Sequence, residues 1–159
     1  LDRDGVLFRR PPPARYITDA SEVVWLDGAL EALALLADHG YRVMVATNQA
    51  GIARGMVTPD DLAAIHDKLR TDAEGVGARI GAIYVCPHGW DDGCSCRKPA
   101  PGLLFQAQHD FDLDLSRVLF VGDQDSDRLA AAAAGCRFEL VAPDRSLLRI
   151  VTDLLGGPR

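Results

Sequence analysis

The sequence predicts an α/β fold: one doubly wound domain in which helices cover both faces of a parallel sheet. Short β-branched runs alternate along the chain with segments of helical periodicity, the order that builds βαβ units. The 159 residues, 48% hydrophobic and 25% charged, suit one ordinary globular core. No internal repeat or low-complexity linker divides the chain, so residues 1–159 read as a single domain.

The elements follow in order. Only Leu1 precedes Asp2, whereas a strand normally runs about four to six residues, so the first strand is expected to begin upstream. Pro11-Pro12-Pro13 stiffens the loop after it. Residues 28–39 carry Leu30, Leu33, Leu36 and Ala37 at helical spacing, with Gly40 as the stop. Residues 41–47 (YRVMVAT) read as a buried strand. At Thr58-Pro59-Asp60-Asp61 a helix starts: Thr58 can cap, Pro59 suits the first helical position and Asp61 can reach back. Leu62, Ile65 and Leu69 give that helix its apolar stripe. Residues 80–86 and 118–121 read as strands, with a helix over 102–111 between them. An Ala-rich helix spans 126–134, capped by Asp125 and ended by Gly135. Residues 138–141 make a last strand and 146–155 a closing helix.

The formal charge of −6 argues against nucleic-acid or anionic-membrane partners, which need a basic face. No apolar run approaches the roughly 18 residues that span a bilayer. No basic stretch followed by an apolar segment marks the start for export. The expectation is a cytoplasmic monomer, and the acidic balance leaves room for a small phosphorylated metabolite as partner, because a few local cations suffice to hold one phosphate.

The chemistry collects where an open parallel sheet places its ligands, at the carboxyl ends of the strands. Asp2 and Asp4 stand two apart at a strand end and project to one side. One carboxylate can attack phosphorus while the other protonates the leaving oxygen and later activates water. Two anions facing a phosphate need a hard cation among them, and Mg²⁺ suits carboxylates plus a phosphate oxygen. Gly122-Asp123 supplies a third carboxylate after an apolar strand, while Asp127 stays open between ligand and orienting neighbour. Thr47-Asn48-Gln49 can donate to phosphoryl oxygens. Arg97-Lys98 sets a planar fork beside a point charge. Taken singly, each of these also suits turn chemistry, a helix cap or a solvated surface.

Cys86, His88, Cys94 and Cys96 supply four soft ligands in one short segment, the set for a closed, structural zinc site. Three local cysteines cannot pair evenly as disulfides. Cys96 immediately precedes Arg97 and Lys98, so a zinc clamp would fix the loop that presents both cations.

Together these residues resemble the haloacid dehalogenase (HAD) superfamily of phosphotransferases. Asp2-x-Asp4-Gly5-Val6 is similar to its first motif, Thr47 to its second, Lys98 to its third, and Gly122-Asp123 with Asp127 to its fourth. The resemblance implies a Rossmann-like HAD-type domain in which Asp2 is the nucleophile and Asp4 the general acid/base. Thr47 and Lys98 would stabilise the phosphoryl group, and Asp2, the Asp4 carbonyl and Asp123 would bind Mg²⁺. Cys-Pro-His followed by Cys-x-Cys-Arg-Lys-Pro resembles the small-capped, zinc-containing branch of heptose-bisphosphate and histidinol-phosphate phosphatases. Thr47 to Gly55 (TNQAGIARG) leans towards the heptose enzymes, which would give Asn48, Gln49, Arg97 and the residue at Gln124 to substrate. No stretch is long enough for a large cap domain. Heptose-type members usually carry a basic residue where this chain has Gln124; Arg9, Arg10 and Arg54 could compensate or be ordinary surface arginines. A polynucleotide 3′-phosphatase, a phospho-accepting regulatory domain and a non-catalytic zinc module are the other readings.

Overall fold

The computed structural model describes residues 1–156. Among these residues four strands alternate with five α-helices: α1 (Ala29–Asp38), β1 (Val43–Asn48), α2 (Pro59–Gly75), β2 (Ile80–Cys86), α3 (Gly102–Phe111), β3 (Leu119–Gly122), α4 (Asp125–Ala134), β4 (Arg137–Leu140) and α5 (Leu147–Leu154).

The strands form two parallel pairs. In one, β1 lies beside β2 in a register that ends at Asn48↔Cys86. In the other, β3 lies beside β4, from Leu119↔Arg137 to Gly122↔Leu140. Leu1 and Asp2 fill the space between the pairs. The Leu1 amino group donates to Met44 O at 2.8 Å, Ala46 N donates to Leu1 O at 2.9 Å, and Asp2 N donates to Val121 O at 2.8 Å. Those bonds join the two pairs into the order β2, β1, residues 1–2, β3, β4, with Asp2 in the middle of the sheet.

Strand alternation explains the double winding. Along β1, Val43 and Val45 join one buried cluster with Leu33, Ile65, Leu69 and Ile150, side chains of α1, α2 and α5. Ala46 joins the other, with Tyr84, Phe120, Leu103, Leu104, Ala130 and Ala131, which brings in α3 and α4. Successive side chains of a strand point to opposite faces, so both faces of the sheet are apolar and each must be covered.

The helix signals act as their chemistry requires. Thr58 and Asp61 form a full capping box, with Pro59 in the first turn. Ser146 caps α5 through Arg149 N. β2 runs over the residues the sequence marks, 80–86, and the limits of the other three strands differ from the expectation by one or two residues. One expectation is overturned: Asp125 is not a cap. Gln124 holds the N-cap position of α4, and Asp125 lies inside the first turn, paired with Arg128 at 2.7 Å. No helix of the described residues is long and apolar enough to cross a membrane.

Candidate active site

The carboxyl ends of β1, β3 and the short first segment open into a polar pocket of about 30 Å³, lined by Asp2, Asp4, Arg10, Thr47, Asn48, Lys98, Gln124, Ser126 and Asp127. A larger apolar cleft of about 310 Å³ lies beside Leu1 between β1 and β3, and its lining contains no carboxylate, thiol or imidazole. The chemistry belongs to the smaller pocket.

Asp2 is buried, and its Oδ1 accepts from Lys98 Nζ at 2.8 Å. Lys98 is itself only 4% exposed. Its ammonium also pairs with Asp127 Oδ1 at 2.6 Å and donates to Ala46 O at 2.9 Å. Burial pulls the Lys98 pKa down, but the Asp2 and Asp127 carboxylates outweigh it and hold the group above its ordinary value. The ammonium therefore stays charged between two anions. Asp127 Oδ2 accepts from the backbone N–H groups of Asp123 and Gln124 at 3.2 and 3.1 Å, and this fixes the turn that presents Asp123.

Two glycines let the acidic groups approach. Gly5 has φ of +95°, and a Cβ there would collide with the Asp123 carboxylate. A Cβ at Gly122 would collide with the Asp127 side chain. Only a residue without a side chain fits at either position.

Oxygens of Asp2, Asp123 and Asp127 lie within 4.8 Å of one another. A cation already draws on this set. Arg10 donates to Asp123 Oδ1 and Oδ2 at 2.7 and 3.0 Å and to the Asp4 carbonyl at 2.6 Å, and lies 3.5 Å from Asp2 Oδ2. Burial pushes the Asp123 carboxyl up, against the pull of Arg10 and with the push of Asp2 and Asp127. These hard oxygen donors, crowded enough to recruit a guanidinium, fit a magnesium ion.

Asp4 is held by both oxygens. Arg3 donates to it from Nε (3.1 Å) and Nη2 (2.9 Å), and Gln49 Nε2 donates to Oδ2 at 2.9 Å. The same Gln49 amide donates to Thr47 Oγ1 at 2.8 Å. Gln49, expected at the substrate, thus braces the two motifs from beneath and is itself buried. Asn48 lines the pocket, but its amide is engaged twice with the Lys98 backbone, at 3.0 and 3.1 Å, which ties the end of β1 to the lysine. Gln124 faces the pocket. Arg97 does not line it: its guanidinium donates to His88 O at 3.3 Å.

The four soft ligands do come together. Cys86 Sγ lies 3.6 Å from both His88 Nδ1 and Cys94 Sγ, His88 Nδ1 is 3.2 Å from Cys96 Sγ, and the Cys94 and Cys96 sulfurs are 3.5 Å apart. A tetrahedron with zinc–ligand bonds of about 2.0–2.3 Å has edges of about 3.3–3.8 Å, and all four cysteines of the chain are unpaired as disulfides. The donor set fits zinc. Burial pushes the Cys86 thiol up to about 12. At Cys94, burial is overcome by the Arg97 backbone N–H and the neighbouring thiols, which bring the thiol down to about 7.

Two buried residues beside the acids, Arg3 and His66, are not singled out by the sequence; Arg3 bonds Asp4 and lies 3.1 Å from His66 Nε2. Arg3 sits between two acids, where a charge ordinarily faces solvent, yet it is 1% exposed. His66 is one histidine on an amphipathic helix, indistinguishable by spacing from a core or surface residue. Arg10 stands in the sequence among the three arginines that could compensate for Gln124, but its contact with Asp123, 113 positions away, has no sequence signal.

Comparison with known proteins agrees with this geometry. A HAD-hydrolase-like family model matches residues 95–147. The D-glycero-beta-D-manno-heptose-1,7-bisphosphate 7-phosphatase of Pseudomonas aeruginosa is 45% identical over 157 residues, 99% of this chain and 87% of that protein. The enzyme of the same name from Bordetella bronchiseptica is 43% identical over 136 residues, 86% and 75% of the two chains. The crystal structure of D,D-heptose 1,7-bisphosphate phosphatase from B. bronchiseptica, complexed with magnesium and phosphate, superposes with a TM-score of 0.90 at 37% identity, covering 97% of this chain and 95% of that one.

Proposed function

Since the chain belongs to the family of D-glycero-D-manno-heptose-1,7-bisphosphate 7-phosphatases and so hydrolyses phosphoric monoesters, we propose that it removes the 7-phosphate of D-glycero-D-manno-heptose 1,7-bisphosphate. Both of the relatives named carry the β-anomer in their names, and that is the form we propose as substrate. The observation that carries the reading is the buried Asp2–Lys98–Asp127 array, with Asp4 on the same pocket and Asp123 within reach of Asp2 and Asp127.

A carboxylate oxygen of Asp2 attacks phosphorus, and a bond from Asp2 to phosphorus forms as the bond from phosphorus to the sugar oxygen breaks. Asp4 gives its proton to that departing oxygen. Water then attacks the phospho-aspartate, Asp4 takes the water proton, and phosphate leaves with Asp2 restored. Lys98 and Thr47 stabilise the charge on the phosphoryl oxygens, already in position before the reaction begins. A magnesium ion held by Asp2, the Asp4 carbonyl and Asp123 supplies the remaining positive charge. Zinc on Cys86, His88, Cys94 and Cys96 is structural in this reading: it pins the loop that runs into Arg97 and Lys98. Asn48 and Gln124 line the pocket, and Arg97 would reach the sugar by turning away from the His88 carbonyl. Cytoplasmic location and a monomeric state complete the proposal.

Phosphate release from heptose 1,7-bisphosphate and from histidinol phosphate, measured in competition with Mg²⁺ present, tests the substrate. Preference for the bisphosphate is expected. Preference for histidinol phosphate would keep the chemistry and overturn the substrate.

A further inference from the structure

Arg3 carries its charge into the interior. Its guanidinium has five N–H donors and no acceptor, and leaving such a group unpaired in a low-dielectric interior is costly. Two donors are taken by Asp4, at 3.1 and 2.9 Å. Arg3 Nη1 lies 3.1 Å from His66 Nε2 on α2, and the guanidinium carbon lies 5.8 Å from the centre of the Phe8 ring. Because arginine can only donate, Nε2 must accept, and the imidazole proton resides on Nδ1.

This arrangement singles out one oxygen of Asp4. Oδ2 already accepts from Arg3 Nη2 and Gln49 Nε2. Among the described residues Oδ1 accepts only from Arg3 Nε, which leaves it one lone pair for the pocket. An acid that must meet a leaving oxygen needs that orientation held to a fraction of an ångström, and the orientation is set by how the guanidinium plane lies. The guanidinium is in turn anchored at its far end by His66.

We propose that His66 is a positioning residue for the phosphatase reaction: acting through Arg3, it sets the Asp4 carboxylate so that Oδ1 faces the leaving oxygen. Burial, with Arg3 and Arg70 nearby, holds the His66 pKa down at about 3, which keeps the ring neutral and able to accept at the pH where such enzymes work. The inference rests on the phosphatase reading with Asp4 as the acid.

A merely structural histidine and a positioning one differ in what their loss does to different leaving groups. A sugar alkoxide departs only with a proton, whereas p-nitrophenolate departs without one. His66→Leu removes the acceptor and frees the guanidinium to turn. It should lower kcat/KM for heptose 1,7-bisphosphate about 10- to 100-fold, the scale of a misplaced general acid, and that for p-nitrophenyl phosphate less than about threefold. His66→Gln, which can still present an acceptor oxygen to Arg3, should recover most of the loss. If His66→Leu does not fold, Arg3→Lys asks the same question, because lysine keeps the charge but lacks the fork. It too should harm the sugar phosphate selectively. Equal losses on both substrates, or no loss, in a variant with a native circular dichroism spectrum would overturn the proposal. Wild-type protein that hydrolyses neither substrate would instead overturn the phosphatase reading, and this inference with it.

Discussion

Lys98 and Asp127 form a buried ion pair at 2.6 Å, with side chains 3% and 2% exposed. Asp2 approaches the same ammonium from the other side, at 2.8 Å. One cation thus pairs with both the proposed nucleophile and the acid that fixes the turn at Asp123.

Removal of that cation should be felt twice. Lys98→Met, close in volume, strands two buried carboxylates and should destabilise the fold by about 3–5 kcal/mol. It should also cut kcat by at least about 100-fold, since a preorganised charge is lost from the phosphoryl site. Urea unfolding and steady-state phosphate release measure the two effects separately.

Arg10 and a divalent cation draw on the same oxygens: Asp123, the Asp4 carbonyl and Asp2. Mg²⁺ must displace the guanidinium to reach them. Arg10→Ala should therefore bind Mg²⁺ several-fold more tightly by calorimetry in the absence of substrate. Unchanged binding would mean that the arginine turns aside at no cost, and weaker binding that it supports the metal site; either would contradict the competition.

What the sequence made legible was what lies close along the chain or falls at the end of a strand. Asp2-x-Asp4, Thr47 and Gly122-Asp123 each announce themselves by a position at a strand terminus, Lys98 by its place in the loop beside the cysteines, and Thr58 with Asp61 reads directly as a capping box. Cys86 to Cys96 is likewise a local pattern, and the structure closes it to distances that suit zinc. The Arg3–His66 contact joins residues 63 apart, and Arg10 meets Asp123 only because the first loop folds over the pocket. Nothing periodic marks such pairs. Asp125 misled because an acid before a helix usually caps it, whereas here α4 begins one residue earlier.

Zinc should matter to the loop more than to the fold. Stripping the metal with a chelator should raise hydrogen exchange across residues 86–98 and depress turnover, while the exchange of β3 and α4 stays unchanged. The reason is connectivity: Cys96 is two residues from Lys98, and Arg97 already bonds back to His88 O. Retained turnover with zinc verifiably gone would contradict this role.

His66 should leave a mark on acid stability. Its pKa is near 3 in the folded protein against an ordinary value of 6.5, so the unfolded chain binds an extra proton between those limits. Its contribution is complete above about pH 6.5 and is lost as the pH falls towards 3, at up to about 1.4 kcal/mol per pH unit. Over that window the stability of wild type should fall more steeply than that of His66→Gln, by one proton in the slope. Denaturant midpoints between pH 3 and 7 for both proteins check the difference.

The central claim is that Asp2 carries the phosphoryl group. Borohydride quenching during turnover of heptose 1,7-bisphosphate reduces an aspartyl phosphate to homoserine, which peptide mass spectrometry locates. The account predicts homoserine in place of Asp2, dependent on substrate and Mg²⁺, and no turnover in Asp2→Asn. Sustained turnover with Asp2 unmodified, or an active Asp2→Asn protein, would contradict it.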